Sequence, residues 1–205
     1  MVLTLPPEPE FGQPMAIGAR DEELLRFLAL RRSASAATLR SPGPDQADVA
    51  KLLRLAVRVP DHGKLFPWRF IVLRDEAKIA YVQALEPLAA DQPNPEKALA
   101  ALAKVRNPPL SVCVVSRLVE ATIPEWEQRL SSGAVCMALL IAAQAAGYGA
   151  NWITDWYAYD ARATAVLGLT EKERVAGFVH IGTPAETPLE RVRPVVADLT
   201  REWTS

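Results

Sequence analysis

The spacing of apolar residues predicts an alternation of helices and strands from Asp21 onward. Leu24, Leu25, Phe27 and Leu28 recur at helical spacing, with acids leading and Arg31 and Arg32 trailing, the order a helix dipole favours. Ser41-Pro-Gly-Pro predicts a turn, after which Asp45 can cap a second helix carrying Val49, Leu52, Leu53, Ala56 and Val57 on one face and ended by Pro60. Arg69-Phe-Ile-Val-Leu reads as a short strand, residues 76 to 89 as a helix, and Pro95 as the first turn of another helix reaching about Lys104. Leu110-Ser-Val-Cys-Val-Val is short, β-branched and set off by Pro108-Pro109, which predicts a buried strand. The longest helix is expected from Trp126 to Ala146. Its second half is small and apolar nearly all round, which suits a helix crowded on every side, at the centre of a domain or a dimer. Gly147-Tyr-Gly stops it, Asn151-Trp-Ile-Thr resumes as a strand, and a short helix at 161 to 167 and a strand at 176 to 182 follow.

The ends differ from this middle. Residues 1 to 20 have no apolar period and are rich in Pro and Gly, so they are expected to be an extended arm; residues 21 to 205 are expected to form one domain with an extended tail beyond Pro184. A chain of 205 residues that is 50% apolar can bury one sizeable core and still leave surface for a dimer. Charge adds mostly exclusions: 23 Lys and Arg against 24 Asp and Glu give no field for holding nucleic acid or an anionic membrane, so neither is an expected partner. No segment has the length and apolarity of a bilayer span, and the first residues lack the basic-then-apolar build of a signal peptide; a cytoplasmic location is the expectation.

Three segments could carry chemistry. Arg31-Arg32-Ser33-Ala34-Ser35 sets two guanidinium groups beside two hydroxyls at a helix end, a set that can bind a phosphate monoester or merely cap the helix in solvent. Arg58-Val-Pro-Asp-His-Gly-Lys-Leu-Phe-Pro-Trp68 gathers cations, a histidine and an aspartate between prolines, as a preorganised loop site would, or a rigid connector anchored by Trp68. An Asp61–His62 dyad is disfavoured because adjacent residues rarely face each other. Gly147-Tyr-Gly-Ala-Asn-Trp-Ile-Thr154 could bring strand N–H groups to the edge of a planar ring, or be no more than a helix stop followed by a strand. His180, within an apolar strand, reads as a core residue, and Cys113 and Cys136 as buried thiols. Zinc-type Cys/His spacing, a Walker glycine loop and a Gly-x-Ser-x-Gly elbow are all missing, so no metal is expected.

Taken together the three segments resemble the FMN-dependent nitroreductase family, in its small bacterial subgroup with Pro-Asp-His before Pro-Trp. The resemblance runs from Arg31-Arg32-Ser33 through Arg58-x-Pro-Asp-His-x-x-x-x-Pro-Trp68 and Gly147-Tyr-Gly-x-x-Trp-Ile-Thr to Gly177-Phe-x-x-Ile-Gly-Thr-Pro184. It implies an α+β nitroreductase-like fold, a mixed and mainly antiparallel sheet flanked by helices, in an intertwined homodimer with FMN at the subunit interface. Carried over, Arg31, Arg32, Ser33 and Ser35 hold FMN from one chain, with Trp152, Ile153 and Thr154 lining the ring, while Arg58 and His62 reach it from the other. Ser35 stands where many members have a second arginine. A basic residue of the tail, Arg191 or Arg193, is expected to assist at the phosphate, with Arg193 taken here. Ala142, Ala143, Gln144, Ala145, Ala146 and Gly147 match the stretch that meets the nicotinamide nucleotide.

The implied activity is hydride transfer from NADH or NADPH through FMN to a small organic acceptor, a nitro compound or a quinone, with ping-pong kinetics. No side chain need be an obligatory acid or base, so no catalytic residue is assigned. A cation near the flavin would favour its reduced form, and Lys64, Arg58 and His62 are the candidates. The alternatives are an FMN-binding module without turnover, a different flavin reaction on the same fold, and a flavin-free hydrolase using His62, Asp61 and Ser33.

Overall fold

The computed structural model describes residues 3–16 and 18–204. Helix α1, Glu22–Leu30, starts where the side chain of Asp21 accepts the Leu24 N–H at 3.0 Å, and a two-residue strand β1, Leu39–Arg40, follows it. Asp45 caps α2, Gln46–Ala56, in the same way through Asp48 N–H at 2.8 Å. This helix stops at Ala56, ahead of the terminator expected at Pro60. Strand β2, Trp68–Arg74, leads directly into α3, Asp75–Ala90. The single helix expected after Pro95 is two, α4, Pro95–Ala101, and α5, Ala103–Arg106. Then come β3, Leu110–Arg117, the long α6, Glu125–Ala145, β4, Gly149–Ile153, α7, Ala161–Val166, and β5, Glu173–Pro184.

The five strands form one sheet, and every pairing among the described residues is antiparallel. β5 is its hub, bonded to β3 along one edge, to β4 from Ile153↔Phe178 to Gly149↔Gly182, and to β1 at Arg40↔Thr183. β2 lies outside β3, in register from Trp68↔Ser116 to Arg74↔Leu110. Helices cover both faces. Leu110, Val112 and Val114 of β3 pack with Val49 and Leu52 of α2 and Val135 and Leu139 of α6. The alternate residues Cys113 and Val115 pack on the opposite side with Tyr81 and Leu85 of α3, Leu102, Val105 and Tyr157. A strand buried on both faces needs apolar side chains at successive positions, which explains the unbroken Val-Cys-Val-Val run.

Packing requires glycine at several positions, of which Gly177 and Gly149 bear on the site. A Cβ on Gly177 would lie 2.0 Å from the indole nitrogen of Trp152, and one on Gly149 would lie 2.5 Å from the ring of Pro184. The second contact ties the start of β4 to the end of β5 and accounts for that glycine without any ligand. Both cysteines are buried, and burial pushes the Cys136 thiol up to about 12 and Cys113 higher still, so neither is a nucleophile at neutral pH.

Candidate functional site

Arg31 ends α1, its N–H donating to the Phe27 carbonyl at 2.8 Å, but its side chain leaves the helix. Nε donates to Gln144 Oε1 on the last turn of α6 at 2.8 Å, and the guanidinium also reaches Ser33 Oγ at 3.3 Å. Gln144 uses its NH2 group on the Arg32 carbonyl. The loop continues along β4, where Ala34 N–H donates to the Ala150 carbonyl at 3.1 Å and the Asn151 amide donates to the Ala34 carbonyl. Every turn of the Arg-Arg-Ser segment is therefore fixed against a rigid element.

The C-terminal tail comes back to the same place. Arg32 Nε donates to the Leu189 carbonyl at 2.8 Å and lies 3.7 Å from Glu190, which also binds Arg193 at 3.0 Å. Burial, followed by the charges of Arg193 and Arg32, holds the Arg31 guanidinium below its ordinary value. Two guanidinium groups, those of Arg32 and Arg193, thus pair with the Glu190 carboxylate close to Arg31, and the excess of positive charge suits a phosphate dianion. Ser33 is half-buried beside Arg31, whereas Ser35 is exposed and its side chain makes no cap bond.

The Arg58–Trp68 loop lies at the other end of α6. Ser131 Oγ donates to the Pro60 carbonyl at 2.6 Å and Ser132 Oγ to the Pro67 carbonyl at 2.9 Å, so two adjacent serines of the helix hold both ends of the loop. Trp68 is buried in the core as the anchor expected of it. Inside the loop Lys64 and Phe66 adopt left-handed backbone at φ 54° and 48°, next to Gly63 at 80°, a strained geometry that the clamped ends impose. Asp61 is used within the loop, accepting the Phe66 N–H at 2.9 Å, and His62 Nδ1 lies 2.6 Å from Glu127 Oε2 of α6. The histidine's carboxylate partner is thus Glu127 rather than its sequence neighbour. Arg58 and His62 are both exposed.

Glu127 and Gln144 mark the two ends, separated by most of α6, roughly 25 Å at about 1.5 Å rise per residue. Arg31, Arg32, Ser33 and Arg193 gather at one end, Arg58 and His62 at the other, and a single chain does not bring the two sets together. Within one chain, Ser33 and His62 are therefore not brought into the contact the hydrolase reading needs. Trp152 stands between them on β4, 38% exposed, its ring over Gly177 and its edge toward Gly133 of α6. Ile153 and Thr154 follow half-buried, with Thr154 Oγ1 accepting the Tyr159 hydroxyl at 2.8 Å. Of the residues expected to meet the nucleotide, Ala142 and Ala143 are core and unable to touch a ligand, and Gln144 is committed to Arg31 and Arg32. Ala145 and Gly147 are exposed, and Ala146 and Gln144 are half-buried.

A family model described as "Nitroreductase family" matches residues 28–183. The chain is 33% identical over 167 residues to "Putative NAD(P)H nitroreductase YdjA" of Escherichia coli K12, covering 79% of this chain and 88% of that one. It is 31% identical to a "Putative NAD(P)H nitroreductase" of Haemophilus influenzae, over 80% and 90% of the two chains. The chain belongs to the nitroreductase family. Its fold agrees: the nitroreductase-like family protein of Bacillus cereus superposes with a TM-score of 0.75 at 20% identity, over 91% of this chain and 98% of the other. A "putative nitroreductase in complex with fmn" from Desulfovibrio desulfuricans gives 0.71 at 21%, over 91% and 100%.

Within this nitroreductase three features of the site have no local sequence signal. Glu127 stands 65 positions from His62, Gln144 is one amide in an alanine-rich helix end, and the serines that clamp the loop look like ordinary small helix residues. Among the described residues no group of His, Cys, Asp and Glu could hold a metal, and no helix is long and apolar enough to cross a membrane.

Proposed function

We propose that this nitroreductase works as a homodimer, an FMN-dependent oxidoreductase that takes electrons from NADH or NADPH and passes them to a small organic acceptor, a nitro compound or a quinone, by ping-pong turnover. The observation that carries the reading is the division of the site: an anion-binding end and an Arg–His end on opposite ends of one helix, each half of a pocket. A second copy related by a two-fold axis across α6 would put the Arg58–His62 loop of one chain against the Arg31–Arg32 loop of the other.

The surface between the two ends supports such a pairing. Trp126, Leu130, Ala134, Met137 and Ile141 make a stripe along α6 that the chain leaves uncovered or half covered, with Trp126 68% exposed. Helix α1 buries nothing, yet shows Leu24, Leu25 and Leu28, and the tail displays Val192, Val195, Leu199 and Trp203. Exposed apolar side chains on all three segments suit an interface.

The site residues fit FMN by charge and shape. Arg31, Arg32 and Arg193 would hold its phosphate with Ser33, and β4 from Trp152 to Thr154 would lie along its ring. When bound, FMN supplies the ring that accepts a hydride from the reduced nucleotide and hands two electrons on. The chain's part is to hold that ring rigidly at a surface both substrates can reach in turn, and to bring Arg58 and Lys64 as positive charge near it, with His62 beside them. The test is the visible spectrum of the purified protein before and after anaerobic addition of NADH and of NADPH. Flavin bands that bleach, followed by recolouring with a quinone or nitroarene, are expected. Bands that persist with both nucleotides would make the protein an FMN-binding module, and a colourless protein that takes up no FMN would end the reading.

A further inference from the structure

Residues 3–16 lie ahead of the family match at 28–183, and yet they are docked. Lys51 Nζ donates to the Leu3 carbonyl at 2.6 Å, and Arg54 donates to the Pro6 carbonyl at 2.6 Å and pairs with Glu8 at 3.1 Å. The arm thus follows α2 toward its C-terminal end, where Arg58 begins the loop that carries His62. There it closes a tight turn: Gln13 N–H donates to the Glu10 carbonyl at 3.1 Å, and Gln13 Oε1 accepts the Glu10 N–H at 3.0 Å. Gly12 at φ 82° gives the turn the left-handed position it needs.

The tip of that turn is Phe11, 99% exposed, so the turn presents an aromatic ring to solvent instead of burying it. The Lys64 ammonium lies 5.8 Å from the ring centroid. Just beyond, Met15 joins Leu55, Arg58, Pro6 and Pro9 around a cleft of about 400 Å³. The cleft itself is walled by a thioether and proline rings with Arg54, Arg58 and Glu8, while the Phe11 ring and the Lys64 ammonium stand outside its lining, so the arm presents an apolar wall with charged groups along it. That is a surface for a planar, electron-poor aromatic molecule, and the cleft is large enough to take part of one.

Resting on the reading above, in which Arg58 and His62 face the flavin of the second copy, we infer that the arm is the outer wall of the acceptor pocket. Phe11 and Met15 are its specificity-determining residues, and fused-ring quinones and nitroarenes are the acceptor class it favours over single-ring ones. Contact area with the wall grows with the ring system, so its removal penalises the larger acceptor.

The experiment compares the wild-type protein with Phe11→Ala, Met15→Ala and Phe11→Trp, using a two-ring naphthoquinone and a one-ring benzoquinone as acceptors and FMN affinity as the control. Phe11→Ala is expected to raise KM for the naphthoquinone about five-fold and for the benzoquinone less than about two-fold, Met15→Ala to act in the same direction, and Phe11→Trp to restore the preference. FMN affinity should not change. An equal change with both acceptors, no change with either, or loss of FMN from Phe11→Ala would overturn the inference while leaving the reductase reading intact. A wild-type protein that binds no FMN, or whose flavin neither nucleotide reduces, would overturn both.

Discussion

The two sides of the sheet solve different problems. On the side of α3, α4, α5 and α7 the packing is complete within one chain: Phe178 stacks on Tyr81, meets Tyr157 edge-on at 5.1 Å between ring centroids, and lies parallel to His180, all of them buried. On the side of α2 and α6 the inner surface is equally buried, but the outer one keeps its apolar stripe, its two half-sites and the docked arm. One side is closed within the chain, and the other carries the surface to which the proposed function assigns assembly and chemistry. A substitution should therefore report on folding or on function according to the side it falls on.

The largest effect should come from the closed side. Phe178→Ala removes the ring around which three other rings pack and is expected to cost about 3–5 kcal/mol, read as a drop in the urea midpoint with unchanged slope. A loss under about 1 kcal/mol would mean that this side is loosely packed and that the contrast is misdrawn. Next in size is the open side. Leu130→Arg, on the exposed stripe of α6, should leave the fold intact by circular dichroism but shift the sedimenting species to a monomer and weaken FMN binding by more than ten-fold. A dimer that keeps its flavin would show that the stripe is not the interface.

Acid should act first through the closed side. His180 is fully buried, with Nδ1 2.8 Å from Ser111 Oγ and Nε2 without a partner, and burial above all, with Lys104 and Lys78 adding to it, lowers its pKa to about 3. The unfolded chain takes up a proton at this residue near its ordinary 6.5 while the folded chain does not. The stability that follows from this is complete above that pH and declines, by about 1.4 kcal/mol per pH unit at most, as pH falls toward 3. Glu173, held at about 2 by two bonds from Arg69 at 2.6 and 2.9 Å, has a folded pKa below the ordinary 4.5; its contribution is present above that value and lost as pH falls through 2. Denaturation followed from pH 8 to pH 4 should show a slope that starts near 6.5 and is removed by His180→Gln, whereas a flat profile would contradict the histidine's neutral state.

How much of this was legible in the sequence follows the same division. Most of the helices, the Asp45 cap, the doubly buried β3 and the burial of His180 and the cysteines are written in local periodicity and short-range capping, which act over a few residues. β1 escaped because two residues carry no pattern, and the first residues of β5 escaped because Glu173 and Arg174 are charged; Glu173 pairs with Arg117 of β3 and its carboxylate is held by Arg69. The site motifs were visible as residue types, but their distribution along α6 was not, since it depends on contacts such as His62–Glu127 and Arg31–Gln144 between residues 65 and 113 positions apart. The proposed division of the site between two chains came from resemblance, and no local pattern in the sequence points to it.

The smallest effect tests the least supported element of the open side. α1 has no buried residue in one chain, and its own fixed start is the Asp21 cap. Asp21→Ala should cost about 1 kcal/mol of helix stability. If α1 is free in solution, that loss is confined to fraying: helicity falls slightly, and neither the urea midpoint nor FMN affinity moves. If α1 lies on the second copy through Leu24, Leu25 and Leu28, the loss is transmitted, because Arg31 at its end holds the loop of the anion site; FMN affinity should then fall by up to about five-fold, and the dimer should dissociate at a higher protein concentration. Titration of FMN into the variant at two protein concentrations separates the cases: a concentration-dependent affinity means that assembly orders the helix, and a constant one means that the exposed leucines of α1 contribute nothing to the pairing.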